Sequence, residues 1–432
     1  MVDVTDNVVR AALASVEARA AQHAVAYDWA LGRLTSPPVE LLPPAQTLEG
    51  RMELQRIWRQ SQTLGPRILD RIVWGTIGEV NWGGEGGEVD AVLEALELDQ
   101  LAQRLLVDLL VGGMAAAWAY VDARTGRPRV SRLSGYLQPL TDPDDVDRVV
   151  AIYQAWQSAD VRQRHRWNVR IYDLEDATLR EWLGVRSPTS LASPPVEYPN
   201  IMPPRYAMLH LGDDGLPQGP VAAALPVLKA ELAQQMRIYR VAEQSAWPVL
   251  AIRGQINTAE RGPSRVLQLS DNGGAEYLRP GDLSQLEGLH DRTLERLRED
   301  LSLPGGFLGR QTPSGEALRE ANLKFVQACT SYARLLSRLL TGVAADYAAL
   351  AGIRNPPQVS VIVNREFDRS QRIADVLALY REGLIPLSVA VNEVSVYMPT
   401  WSDEGVAAWI ERNERTVTPD DLARVLGGGE NA

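Results

Sequence analysis

The chain has 432 residues, 45% of them hydrophobic, and carries a formal net charge of −11. That length and apolar fraction suit two or three folded units with cores of their own and exclude a disordered polymer. The acidic balance argues against a protein that grips nucleic acid over a broad basic face, because such binding works by neutralising phosphates and releasing their counterions.

Cys329 is the sole cysteine, which excludes disulfides within the chain, and Lys229 and Lys324 are the only lysines among 44 basic residues. The N-terminal residues MVDVTDNVVR lack the basic region and apolar run of a secretory signal. The most apolar stretch, Leu105 to Val121, contains Asp108 and two glycines and is too short and interrupted to span a bilayer. A soluble chain made in a reducing cytoplasm, with no membrane partner, is the expectation.

In chain order, residues Thr5 to about Arg33 read as an alanine-rich helix and Ser36 to Pro44 as a stiff linker. Helical spacing of apolar residues continues through Leu48–Gln62, Arg67–Gly78, Val89–Leu96 and Leu98–Leu110. The glycine cluster from Asn81 to Glu88 lacks the G-K-[ST] of a P-loop and the spacing of a dinucleotide site, so it is read as a surface loop. Strand-like segments follow at Ala117–Asp122, Arg129–Leu133, Val149–Trp156, Trp167–Leu174 and Tyr206–Leu211, which predicts an antiparallel sheet. The proline-rich run Ser187 to Pro204 is read as surface coil.

A helix is predicted from Val221 to Ala246, ending before Trp247 and Pro248 because the residue ahead of a proline resists helical angles. Three short strands, Val249–Gly254, Arg265–Leu269 and Ala275–Arg279, make a small β insert, and Asp282–Leu301 returns to helix. Pro304, Gly305, Gly306, Gly309 and Pro313 then forbid a regular element. Ser314 is placed to cap the next helix, with Glu316 and Glu320 in its first turns, at the positive end of the helix dipole. Beyond Gly315 neither proline nor glycine recurs until Gly342. A helix from Ser314 to Gly352 would be roughly 55 to 60 Å long at 1.5 Å per residue. Phe325, Cys329, Tyr332, Leu336, Leu339, Val343 and Leu350 mark its apolar stripe, Val326, Ala333, Leu340 and Tyr347 widen it, and Asp346 interrupts it. So wide a stripe calls for neighbours on more than one side. Gln358–Val363 reads as a strand rejoining the earlier sheet, and helices follow at Arg369–Arg381, Ser388–Val396, Asp403–Asn413 and Pro419–Leu426. The fold class is α+β, mainly helical.

No constellation for catalysis emerges. His23, His165, His210 and His290 fall in four different elements without metal-binding spacing, and there is no nucleophile elbow or cysteine cluster. Cys329, flanked by apolar residues, reads as a buried structural thiol. The acidic run Asp142, Asp144, Asp145 and Asp147 shapes a turn, or else binds a cation. It therefore keeps open the alternative of a soluble metal- or acid-dependent enzyme using Asp142, Asp144 and Asp145. No cofactor, catalytic residue or metal ligand is otherwise expected.

The order helix, small β insert, helix, glycine-proline loop, long helix and returning strand resembles the portal (head-to-tail connector) protein of tailed bacteriophages. Leu301 to Leu318 (LSLPGGFLGRQTPSGEAL) carries the likeness, with Ser314, Gly315, Ala317 and Leu318 matching the family's S-G-x-A-L opening of the long helix. The resemblance implies a portal-like subunit. Its parts would be a wing (residues 1–214), two stem helices (215–246 and 282–303), a small β clip (247–281), a tunnel loop (304–313), a long helix (314–352), a strand returning to the wing (353–368) and a helical crown (369–432). In that layout Gly305, Gly306, Phe307, Leu308, Gly309, Arg310, Gln311 and Thr312 would face DNA in the channel, while Arg253, Gln255, Arg261 and Arg265 on the clip would face the motor. The resemblance further implies a non-enzymatic homo-oligomeric ring, typically a dodecamer, at the portal vertex of the virion, assembled in the host cytoplasm. Double-stranded DNA would pass through it during packaging and ejection. Its partners would be the large terminase subunit, the major capsid and scaffold proteins, and head-completion or tail adaptor proteins.

Overall fold

The computed structural model describes residues 16, 19–33, 52, 64–83, 96–142, 145, 148–157, 166–189, 191, 193–209, 216–246, 250–253, 256–259, 267–269, 274–277, 283–304, 307–308, 315–364, 369–395 and 402–412. The expected helices Leu48–Gln62, Val89–Leu96 and Pro419–Leu426 fall almost wholly outside them. Residues 19–30 are helical. Helix α1 (Leu64–Thr76), strand β1 (Glu79–Gly83) and helix α2 (Leu98–Gly112) follow. The apolar run that begins in α2 does not continue as a helix. Gly113, at φ 78°, caps α2 through its N–H to Leu109 O, and the chain turns into strand β2 (Met114–Val121). A Cβ on Gly113 would lie 2.5 Å from the Gln218 nitrogen, so only glycine fits there.

Strand β2 is the centre of a three-stranded antiparallel sheet, between β3 (Pro128–Arg132) and β9 (Arg205–Met208). A second antiparallel sheet runs in the order β4 (Tyr136–Thr141), β5 (Val149–Gln157), β6 (Trp167–Asp173), β7 (Thr178–Val185) and β8 (Val196–Tyr198). Three of these strands escape the sequence reading. Strand β4 contains Pro139, which a sheet tolerates at its edge, where β4 lies. Charged Arg180 and Glu181 blur the pattern of β7, and β8 is a three-residue edge piece inside the proline-rich run read as coil. The second sheet buries side chains on both faces. Tyr153 and Val169 belong to one cluster, and Ile152 and Tyr172 to another that reaches Met114 and Ala116 of β2. Buried polar tips are satisfied: the Tyr153 hydroxyl donates to Pro188 O at 2.6 Å and the Trp182 indole to Ser193 O at 2.8 Å.

The helix expected from Val221 to Ala246 is broken at Ala224 into α3 (Pro220–Ala223) and α4 (Leu225–Ala246). Pro226 has no N–H to give and its ring crowds the preceding turn. Beyond α4 lie two ribbons. Strand β10 (Leu250–Arg253) pairs with β13 (Gly274–Tyr277), and β11 (Ile256–Ala259), a strand not foreseen, pairs with β12 (Leu267–Leu269). Helix α5 (Leu283–Asp300) returns beside α4, and α6 (Gly315–Ala351) follows the loop.

The 37-residue α6 is the spine of the main core. Phe325, Cys329, Ala333, Leu336, Leu339, Leu340, Val343 and Ala344 are all at most 3% exposed and join α1, α2 and β2 in one cluster. The centre of the stripe is thus covered within the same chain, while Val326, Tyr332, Tyr347 and Leu350 on it are half-buried. At Gly75 of α1 a Cβ would meet Phe325 Cζ at 2.6 Å, which shows how closely α1 approaches α6. Strand β14 (Gln358–Ile362) pairs antiparallel with β1, Val80 opposite Val361. It therefore joins β1, whose residues 81–83 open the stretch read as a glycine-rich surface loop, not the sheets of residues 114–208. Hydroxyls one turn apart on α6 serve its backbone: the Val361 N–H donates to Ser337 Oγ at 2.8 Å, and the Val359 N–H to Thr341 Oγ1 at 3.0 Å. Helices α7 (Arg369–Arg381), α8 (Leu387–Ser395) and α9 (Asp403–Arg412) close on a core of their own around Ile373, Leu377, Val394, Val406 and Ile410.

Candidate functional site

Helices α4 and α5 form an antiparallel arm. Leu228 and Leu232 at the start of α4 and Leu297 and Leu301 at the end of α5 are buried, whereas Leu289, farther along α5, is 46% exposed. The arm is therefore rooted in the body at one end and carries the β10–β13 and β11–β12 ribbons at the other. Arg253 ends strand β10, opposite Gly274. Gln255, Arg261 and Arg265 lie outside the described residues. Beside Leu232 on α4, Glu231 Oε1 lies 3.0 Å from His290 Nε2 on α5. Glu231 is 0% exposed, and its Oε2 has no hydrogen-bond partner among the described residues.

Helix α5 ends in a tight turn in which the Leu303 N–H donates to Arg298 O at 2.8 Å, with Ser302 at φ 50°. Leu301 and Leu303 are buried there, which fixes the direction in which the loop departs. Phe307 and Leu308 are half-buried and pack against the main core. The guanidinium groups of Arg67 and Arg71 on α1 lie 5.9 and 5.8 Å from the Phe307 ring centroid. Both apolar loop residues are thus pinned to the body in the single chain. Gly305, Gly306, Gly309, Arg310, Gln311 and Thr312 lie outside the described residues.

Asp346, which interrupts the apolar stripe in the sequence, is tied to strand β9. Arg205 grips it with both arms, Nε to Oδ2 at 2.7 Å and Nη2 to Oδ1 at 2.8 Å. A Cβ on Gly342, one turn earlier, would meet Arg205 Cδ at 3.2 Å, so the small residue leaves the arginine room to cross the helix. A second buried carboxylate, Asp108 on α2, accepts a hydrogen bond from the Tyr27 hydroxyl at 3.2 Å. Its Oδ2 lies 3.3 Å from Arg132 Nε, an ion pair whose geometry falls short of a hydrogen bond. Burial pushes the Asp108 carboxyl up to about 7 against the opposing pull of Arg132 and Tyr27. His23, whose ring stands 5.7 Å from that of Tyr27, is pushed down to about 4 by burial. Neither cluster is legible in the sequence, since Arg205 and Asp346 are 141 positions apart.

Cys329 is buried, and desolvation raises its thiol to about 11, far from the thiolate a nucleophile needs. Asp142 and Asp145 belong to a tight reversal between β4 and β5. The Asp142 N–H donates to Arg148 O, the Arg148 N–H donates to Asp145 O, and the Asp142 carboxylate pairs with Arg148 at 3.6 Å. Asp144 and Asp147 lie outside the described residues. Among the described residues no three His, Cys, Asp or Glu side chains converge to hold a metal ion, and no helix is long and apolar enough to cross a membrane.

No protein-family model matches the chain, and no curated protein matches it. Several solved structures resemble it. One is a chain of the virion of a native gene transfer agent particle, with 15% identity and a TM-score of 0.45 over 77% of this chain and 91% of that one. Another belongs to the neck of an empty gene transfer agent particle computed with C6 symmetry, with 15% identity and a TM-score of 0.45, covering 80% of this chain and 93% of that one. A third comes from the neck of the native particle computed with C12 symmetry, at 15% identity and a TM-score of 0.43 over 77% and 91%. At that degree of superposition the likeness carries no functional conclusion.

Proposed function

We propose that this chain is the subunit of a ring-shaped portal through which double-stranded DNA enters and leaves a phage-like head. The observation that carries the reading is the arm: two antiparallel helices rooted in the core, tipped with β ribbons, and followed by a loop and a 37-residue helix that forms the spine of the body. In this reading α4 and α5 are stem helices, the ribbons a clip for the large terminase subunit and later a tail adaptor, and residues 304–313 a tunnel loop. The body built on the sheets is the wing, which meets capsid and scaffold proteins, and α7 to α9 form the crown. Phe307 anchors the loop against α1 and Leu308 against the main core, and Gly305, Gly306, Gly309, Arg310, Gln311 and Thr312 face the duplex. Arg253, Gln255, Arg261 and Arg265 face the motor.

The ring is not explained by the centre of the stripe on α6, which the chain covers itself. Subunits instead meet through outward surfaces such as the face of α5 that carries Leu289, 46% exposed. A net charge of −11 suits a conduit, because a basic lining would hold each passing phosphate. ATP hydrolysis belongs to the motor, and the subunit is not an enzyme. Negative-stain images and native mass of the purified chain, alone and co-expressed with capsid components, are the test. Rings with a central opening at multiples of 47.6 kDa are expected, and solitary monomers in both preparations would overturn the proposal. Replacing Gly305 and Gly306 with larger residues should leave the ring intact and lower the amount of DNA packaged.

A further inference from the structure

We infer that the trench beside the β2–β3 hairpin is a docking site for an acidic peptide segment of a partner protein, whether or not the chain forms a ring. Two cavities, of about 1000 and 740 Å³, lie on either side of Arg104, Val130 and Arg132, which line both. Arg127 and Arg129 also line the first cavity and Arg33 the second, against single carboxylates at Glu97 and Asp70. This arginine excess sits on a molecule in which acids outnumber bases 55 to 44, so it is a local feature rather than a reflection of composition.

Part of the charge is already committed. Arg132 pairs with buried Asp108 and Arg129 with Asp122, each at 3.3 Å. Arg104 donates only to the Gln100 side-chain oxygen, at 3.2 Å, and Arg127 makes no ion pair among the described residues. Two exposed guanidinium forks suit two or three carboxylates. They are too few to hold a nucleic-acid backbone against a chain of net charge −11. Leu101, Val130, Tyr347 and Ile353 supply apolar wall between the charges, which fits leucine-like side chains interleaved with the acids. The two cavities share Arg104, Val130 and Arg132 as a common wall, and an extended segment crossing that wall can reach the arginines of both.

The probe is a short fluorescein-labelled peptide of alternating glutamate and leucine, followed by fluorescence anisotropy on the full chain. Saturable binding that weakens with added salt is expected. The double variant R104E/R127E should weaken it by at least about tenfold, as expected for two lost charge-assisted contacts. R296E, a charge reversal on α5 away from the trench, should leave it unchanged. Arg104 and Arg127 are exposed, so folding should survive. If the melting midpoint of R104E/R127E falls, R104Q/R127Q replaces it. Absence of binding, binding indifferent to both double variants, or displacement of the peptide by a single-stranded oligonucleotide at lower concentration than by unlabelled peptide would each overturn the inference.

Discussion

Buried Asp108 and half-buried His23 are joined through Tyr27, and desolvation displaces their titrations in opposite senses. Asp108 holds its proton up to about 7 in the folded chain, while the unfolded carboxyl loses it near 3.8. Its contribution therefore favours folding at low pH and is lost as pH rises between those values, by on the order of 4 kcal/mol. His23 stays neutral in the fold down to about 4, against 6.5 when unfolded. Its contribution is complete above 6.5 and is lost as pH falls, by on the order of 3 kcal/mol. Between pH 4.5 and 6.5 the two largely cancel. Melting midpoints across that range should vary little for the wild type through this pair. They should fall on acidification for Asp108→Asn and rise for His23→Phe. Parallel curves for all three proteins would mean that neither group is displaced.

A buried polar contact ties the two helices of the arm together. Glu231 is wholly buried, touches His290 through one oxygen and leaves the other without a donor among the described residues. Breaking such a pair from one side strands a buried carboxylate, whereas replacing both partners with apolar groups removes the desolvation cost altogether. His290→Leu should therefore destabilise the chain by about 3 to 5 kcal/mol. Glu231→Gln, which keeps an acceptor for the histidine, should cost less than about 1.5 kcal/mol. The double variant Glu231→Leu/His290→Leu should recover most of the single loss. Denaturant unfolding of the three variants checks the order, and a double variant less stable than His290→Leu alone would show that the pair is not coupled in this way.

At the scale of the whole molecule, helices α7 to α9 close a core that shares no residue with the one built on α6. A chain ending after Asn364 should thus keep the main melting transition of the full chain, with a midpoint within a few degrees. Loss of that transition would show that the last helices support the body. The chain's own periodicities largely determined which segments are helices. An uninterrupted run between Gly315 and Gly342 with apolar residues three and four apart specifies a long α6, and Pro248 ends α4, because both effects are local and act within a turn or two of backbone. Edge strands were less legible, since β4 and β8 need little or no alternating pattern once a neighbour supplies their hydrogen bonds. Only the tertiary structure decided what covers the stripe of α6, that Arg205 reaches Asp346, that β14 pairs with β1, and that arginines from α2 and the β2–β3 hairpin line one trench. Those outcomes depend on contacts between residues far apart in the chain. A side chain's type restricts the partners it can accept but does not say which distant segment will bring one.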